Sequence, residues 1–278
     1  GTAIISGAAL LNALEIVNKK IETIKLVVNG AGASAISCAK LYVALGVKME
    51  NLVMLDRSGV IRKDRKDLDN IKGPFATSRN INTLEEAMKD ADVFLGLSKG
   101  NVLNQDHIRS MAKDPIVFAL ANPDPEIAYE LAIAAREDVV MATGRSDYPN
   151  QVNNALGFPF IFRGALDVRA KEINEAMKLA AVKALAELAK KPVPDMVNMA
   201  YNEKNISFGK EYIIPKPIDP RLITAVSPAV AKAAMDSGVA RFKITDWDAY
   251  TTELSKRLGM DDNIIRVITN KAKRNPKR

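Results

Sequence analysis

Leu26-Val27-Val28-Asn29-Gly30-Ala31-Gly32-Ala33-Ser34-Ala35-Ile36-Ser37-Cys38-Ala39-Lys40 decides the fold. An apolar run, a glycine turn and a helical pattern follow one another without a break, which reads as strand, turn, helix. Gly30, Gly32 and Ala35 have G-x-G-x-x-A spacing, the fingerprint of a loop that presents backbone N–H groups to a dinucleotide pyrophosphate at a helix N-terminus. Gly30 permits the tight turn, Gly32 lets the backbone approach the phosphates, and Ala35 allows helix and strand to pack closely. Ala31, Ala33 and Ser34 complete the loop.

Outward from this unit the same alternation repeats. Apolar runs at Ile24–Val28, Leu52–Leu55, Val93–Leu97, Ile116–Leu120 and Val139–Met141 predict strands buried on both faces. Helical patterns at 34–45, 83–90, 104–112 and 126–136 separate them, the second opened by a capping-box pair, Thr83 and Glu86. Another helix is predicted over 3–18. The expected fold is α/β, a Rossmann-type doubly wound parallel sheet whose strand-end loops meet at one edge. From about residue 158 the texture becomes helical, at 171–190, 219–237 and 246–258, with an irregular Pro- and Asn-containing stretch to about 218. The expectation is one dinucleotide-binding domain over 1–278, with a core at 1–157, a C-terminal helical layer at 158–278 and a basic, linker-like tail at 263–278.

Composition narrows the chemistry. The chain has 278 residues with a single cysteine, Cys38, and a single histidine, His107. A disulfide framework, a zinc cluster and a Ser-His-Asp site are thereby nearly excluded. The cysteine content fits a reducing, cytoplasmic setting. His107, on a predicted helix, reads as a surface or packing histidine, and Met54, Met111, Met141 and Met177 as core filler. The net charge of +7 suggests an acidic partner. However, six basic residues and no acid follow Asp262, so the body before them carries only +1. Neither nucleic acid nor a membrane is expected: the uncharged start GTAIISGAALLNAL is shorter than the roughly 20 apolar residues of a spanning helix.

Candidate ligand contacts stand at the strand ends. Asp56 lies 26 residues after Gly30, about where an acid accepts the ribose hydroxyls of NAD. Arg57 beside it could instead meet the 2′-phosphate of NADP, with Arg62 and Lys63 close behind. Both cofactors stay open. Asn122, in Ala121-Asn-Pro-Asp-Pro-Glu126, is a candidate for the nicotinamide ribose or a substrate carboxylate. Asn153 and Asn154 offer twin amides to a small polyoxygenated substrate.

Longer strings are more specific. NGAGASAI (29–36), LANPDPE (120–126), TGRSDYPNQVNNALGFPFIFRGALD (143–167) and EYIIPKPIDPRLI (211–223) resemble the NAD(P)-binding domain of malic enzyme, particularly its large bacterial form. The resemblance implies oxidative decarboxylation of malate to pyruvate and CO₂, with NAD or NADP and Mg or Mn. It implies cofactor contacts from Thr2, Gly30–Ala35, Asp56 and Asn122, substrate contacts from Asn122, Asn153 and Asn154, and a homo-oligomer. The opening GTAIIS resembles the segment after that family's metal motif. The catalytic Tyr and Lys and the metal ligands are therefore expected upstream of Gly1, in a catalytic domain this chain lacks, which would leave it inactive alone. The end, NKAKRNPKR (270–278), resembles a linker into a phosphotransacetylase-like domain. Two other classes fit the glycine loop: another two-domain dehydrogenase, such as one acting on amino acids, and a non-enzymatic nucleotide-binding module.

Overall fold

The computed structural model describes residues 1–258. Asp261-Asp262 and the basic tail at 263–278 lie outside the described residues. Strands β1 (Leu26–Asn29), β2 (Leu52–Asp56), β3 (Gly59–Val60), β4 (Val93–Gly96), β5 (Ile116–Ala119) and β6 (Val140–Thr143) form one sheet in the order β3-β2-β1-β4-β5-β6. The neighbours from β2 to β6 pair in parallel, as expected for near-continuous apolar runs. The two-residue strand β3 instead runs antiparallel to β2 at the edge. It follows a tight turn at Arg57-Ser58 and is too short to leave a periodic pattern.

Successive strand residues point to opposite faces, and both faces are covered. Leu26, Val28, Leu52, Met54, Leu95 and Phe118 join a large apolar cluster with α1 (Thr2–Ile16) and α2 (Ala33–Leu45). Val27, Val53, Phe94, Val117 and Met141 join the cluster on the other side, beneath α3 (Leu84–Met88), α4 (Gln105–Ser110) and α5 (Tyr129–Ala135). Met54, Met111, Met141 and Met177 are all buried, as core filler should be.

The first cluster continues outward into α6 (Phe158–Asp167), α7 (Glu175–Ala189) and α9 (Arg221–Asp236). Helix α1 packs on α2, β5 and α7, α7 packs on α9, and α9 on α6. This explains the uncharged N-terminal stretch: Ile4–Leu10 are buried without interruption, because a helix covered on all sides is apolar on all sides. The irregular stretch contains one short helix, α8 (Asp195–Ala200), that the sequence pattern does not reveal. A further helix begins at 247. Among the described residues, no helix is long and apolar enough to cross a membrane.

One polar feature of the short helices is present as expected, and a second was not foreseen. Thr83 and Glu86 form their reciprocal capping box. His107 is buried and completes a second one, its Nδ1 accepting from the Asn104 N–H at 3.1 Å.

One buried polar contact binds the outer helices to α1. Asn12, fully buried, donates from Nδ2 to the carbonyls of Ala186 in α7 (2.9 Å) and Ile213 (2.8 Å). Asn12→Leu, close in volume, removes a donor shared by two buried acceptors. It should lower the unfolding free energy by about 2 kcal/mol, read as a shift in the denaturation midpoint; an unchanged midpoint would show that the contact is dispensable.

Candidate functional site

In the sheet order, the chain passes from β1 outward to β2 and returns to β4 on the other flank of β1. The crevice between the ends of β1 and β4 is thus the switch point at which open α/β sheets bind ligands. A cavity of about 1030 Å³ opens there, lined by the loops after β1, β2 and β4.

The loop after β1 is shaped as its glycines predict. Gly30 has φ +132°, and a Cβ at this position would stand 2.7 Å from the Leu97 carbonyl oxygen. Glycine is therefore required for β1 to turn beside β4. Gly32 has an ordinary φ of −80° and serves as N-cap of α2. No atom would lie within 4 Å of its Cβ, so the space in front of it is open cavity. No side chain caps α2, which leaves first-turn N–H groups available to an anion. Gly30, Ala31 and Gly32 line the cavity, whereas Ala33, Ser34 and Ala35 form the first turn of the helix, Ala35 buried against the sheet. These features fit a dinucleotide pyrophosphate.

At the end of β2 stands Asp56, and both its oxygens are engaged. Arg65 donates to Oδ1 and Oδ2 at 2.9 Å each, Lys72 Nζ donates to Oδ2 at 3.1 Å, and the Ser58 N–H donates to Oδ1 at 2.9 Å. Burial works against the charged form, but the bonds from Arg65, Ser58 and Lys72 prevail and bring the Asp56 carboxyl down to about 2. Arg65 also holds Asp67. Arg57 lines the cavity and has no ion-pair partner among the described residues. Of the two cations suggested behind it, Arg62 is bound to Asp64, Asn80 and Asn82, and neither Arg62 nor Lys63 lines the cavity. Lys72 takes that place. No sequence spacing marks it, because the loop from β3 to α3 folds back through tertiary contacts.

The loop after β4 forms the other wall of the cavity, and the loops after β5 and β6 lie beyond it. Asn29 Nδ2 donates to Ser98 Oγ at 3.0 Å, joining the loops on either side of the switch point. Asn122 is exposed beyond β5, beside Gly144, whose Cβ would lie 3.4 Å from Asn122 Oδ1. Thr2, at the start of α1, donates to Asn154 Oδ1 at 3.5 Å, so two residues 152 positions apart meet. Asn153 accepts from the Ala155 N–H at 2.9 Å and caps a single turn at 154–156. Thr2, Asn122, Asn153 and Asn154 do not line the main cavity itself. Glu126, unmarked by the sequence reading, is fully buried behind this wall, and burial pushes its carboxyl up against hydrogen bonds from the Ala121 and Ser98 N–H groups.

A family model described as "Malic enzyme, NAD binding domain" matches residues 1–203. An NADP-dependent malic enzyme from Halomonas elongata is 60% identical over 241 residues, covering 87% of this chain and 57% of that protein. Another, from Rhizobium meliloti, is 53% identical over 279 residues, covering all of this chain and 37% of that protein. The chain thus spans between about a third and just over half of these relatives' lengths. The crystal structure of Entamoeba histolytica malic enzyme superposes with a TM-score of 0.85 at 34% identity, over 98% of this chain and 55% of that one. With the switch-point cleft, the glycine loop and these likenesses together, the chain belongs to the malic enzyme family, through its NAD-binding domain.

Proposed function

We propose that the cleft binds NADP and that the chain supplies the dinucleotide-binding part of an enzyme that oxidises and decarboxylates malate to pyruvate and CO₂. The observation that carries this reading is the open backbone at Gly32, over an uncapped helix start, in a cavity whose β2 side gathers Arg57 and Lys72. The apolar cluster that runs unbroken from the sheet into α7 and α9 supports a single dinucleotide-binding unit.

Gly30, Ala31 and Gly32, with the first turn of α2, would hold the pyrophosphate through backbone N–H groups. Asp56 would meet the adenosine ribose. Its charge is balanced by Arg65 and Lys72, so a 2′-phosphate is not repelled from this corner, and Arg57 and Lys72 are the cations to receive it. Bound NADP supplies a hydride acceptor for the hydroxyl-bearing carbon of malate. Asn122 would orient the nicotinamide ribose and substrate, and Asn154, steadied by Thr2, the substrate carboxylate. Among the described residues, no group of three or more His, Cys, Asp or Glu side chains could hold a metal ion. The divalent metal implied by the resemblance would thus find no three-ligand group among these residues.

The glycine loop gives the first test. Gly32→Val suits the backbone, since φ is ordinary and no atom lies within 4 Å of the new Cβ, yet fills the space the phosphates need. Titration of NADP should show affinity falling about 100-fold, the scale of two lost charge-assisted hydrogen bonds; equal affinity in variant and wild type would refute the assignment. Lys72→Ala probes the choice of cofactor. It should weaken NADP by about 1–3 kcal/mol while sparing NAD. Parallel losses for both would place Lys72 at a part common to the two molecules. In the complete enzyme, Asn154→Ala should cut malate turnover by about tenfold or more with dinucleotide affinity nearly unchanged, because it removes a substrate contact. A matching loss of dinucleotide affinity would move Asn154 to the cofactor.

A further inference from the structure

We propose that Glu126 is a positioning residue, whose carboxylate clamps the loops after β4 and β5 at the spacing that Asn122 and Ser98 need to receive the nicotinamide half of the dinucleotide. The inference rests on the dinucleotide reading above and extends it to a residue that touches neither cofactor nor substrate.

Glu126 is fully buried and has no cationic partner among the described residues. Its two oxygens are used separately: Oε1 accepts from the Ser98 N–H at 3.2 Å, and Oε2 from the Ala121 N–H at 3.0 Å. The first donor lies in the loop after β4 and the second in the loop after β5, directly before Asn122. A buried carboxylate without a salt bridge is costly to a fold, and a packing role would be filled better by an apolar side chain. Two acceptors at one carbon, facing two backbone donors from different strands, are what this position supplies instead.

The surroundings are built around that carboxylate. A Cβ at Gly96, the last residue of β4, would stand 2.2 Å from Glu126 Cδ, so the strand end carries no side chain where the carboxylate sits. The same two segments are joined again by the Asn101 N–H to the Pro125 carbonyl (3.0 Å) and the Leu103 N–H to the Glu126 carbonyl (2.9 Å). Ser98, held through its N–H, bonds Asn29 at the end of β1 through its Oγ at 3.0 Å. A continuous path thus runs from β1 through Ser98 and Glu126 to Ala121 and Asn122. It crosses the switch point on the side away from Asp56, which confines the expected effect to one half of the ligand.

Glu126→Gln tests this without changing side-chain volume. An amide has one acceptor oxygen, so one backbone N–H would face an NH₂ group and the clamp would open on that side. The probes are ADP-ribose, which lacks nicotinamide, and NADPH, followed by its nicotinamide fluorescence, both titrated into the 278-residue chain. In the variant, ADP-ribose affinity should stay within about twofold of wild type, while NADPH binds about tenfold more weakly and loses its emission enhancement. Unchanged NADPH affinity and emission would overturn the proposal, as would equal losses for both probes, which general damage to the fold produces. Should the variant not fold, amide hydrogen exchange on the wild-type chain decides: Ser98 and Ala121 N–H groups must be protected, and rapid exchange at either overturns the clamp. Absence of NADPH binding by the wild-type chain would instead overturn the dinucleotide reading, and the proposal with it.

Discussion

A residue with a side chain cannot stand at position 30, and the rest of the site depends on that exclusion. The Gly30 N–H bonds the Leu55 carbonyl of β2 at 2.9 Å, and the Leu97 N–H bonds the Asn29 carbonyl at 2.9 Å. The end of β1 is therefore pinned between both neighbours while the chain turns through φ +132° toward α2. A Cβ would collide with the Leu97 carbonyl oxygen, pushing apart the loops that form the crevice. The parallel register carries this alignment sideways: Asn29 stands opposite Leu55 and Gly96, and Gly96 opposite Ala119. All four strands end level, and the loops that follow open onto one edge.

Two carboxylates on opposite sides of this edge are handled in different ways. Asp56 is surrounded by Arg65 and Lys72, and its carboxyl lies near 2, so it is an anion whose charge is already balanced. A phosphate can approach such a group because neighbouring cations offset the repulsion. Glu126 has only backbone N–H donors, and burial raises its carboxyl. One acid gathers cations around itself; the other gathers backbone N–H groups. Asp56 lines the cavity itself, whereas Glu126 is buried away from it.

Legibility in the sequence followed the range of the interactions. The glycine loop, the parallel strands and the Thr83 cap depend on residues within one strand–turn–helix unit, and the structure shows all of them. Strand β3 and helix α8 escaped because each is too short to carry a period. Arg62 and Lys63 looked apt by proximity to Asp56, yet Arg62 is spent on Asn80 and Asn82, which return in space only when the loop closes. Lys72 and Arg65 reach Asp56 by the same closure. Glu126 was hidden differently: after Pro123-Asp124-Pro125 it reads as the solvated start of a helix, but α5 begins at Tyr129 and Glu126 is buried. Asn153 also has a local use that its sequence position does not reveal: its oxygen accepts from the Ala155 N–H and caps its own turn.

The meeting of Thr2 with Asn154 depends on buried amides far from either residue. Asn150, buried after β6, donates to the Met141 carbonyl at 2.9 Å and the Lys210 carbonyl at 2.6 Å, and accepts from the Ile213 N–H at 2.9 Å. The Ile213 carbonyl in turn accepts from Asn12 in the middle of α1. The stretch at 210–213 is thus a strut, bonded on one side to the strand that leads to Asn154 and on the other to the helix that begins at Thr2. The buried Ile5, Leu10 and Leu14 pack α1 against its neighbours, and the directional hydrogen bonds at Asn12 and Asn150 add fixed donor–acceptor geometry to that packing. The helical layer beyond the sheet therefore bears on the Thr2–Asn154 contact although none of its helices reaches the main cavity: it is bonded to α1 at Asn12, and α1 carries Thr2.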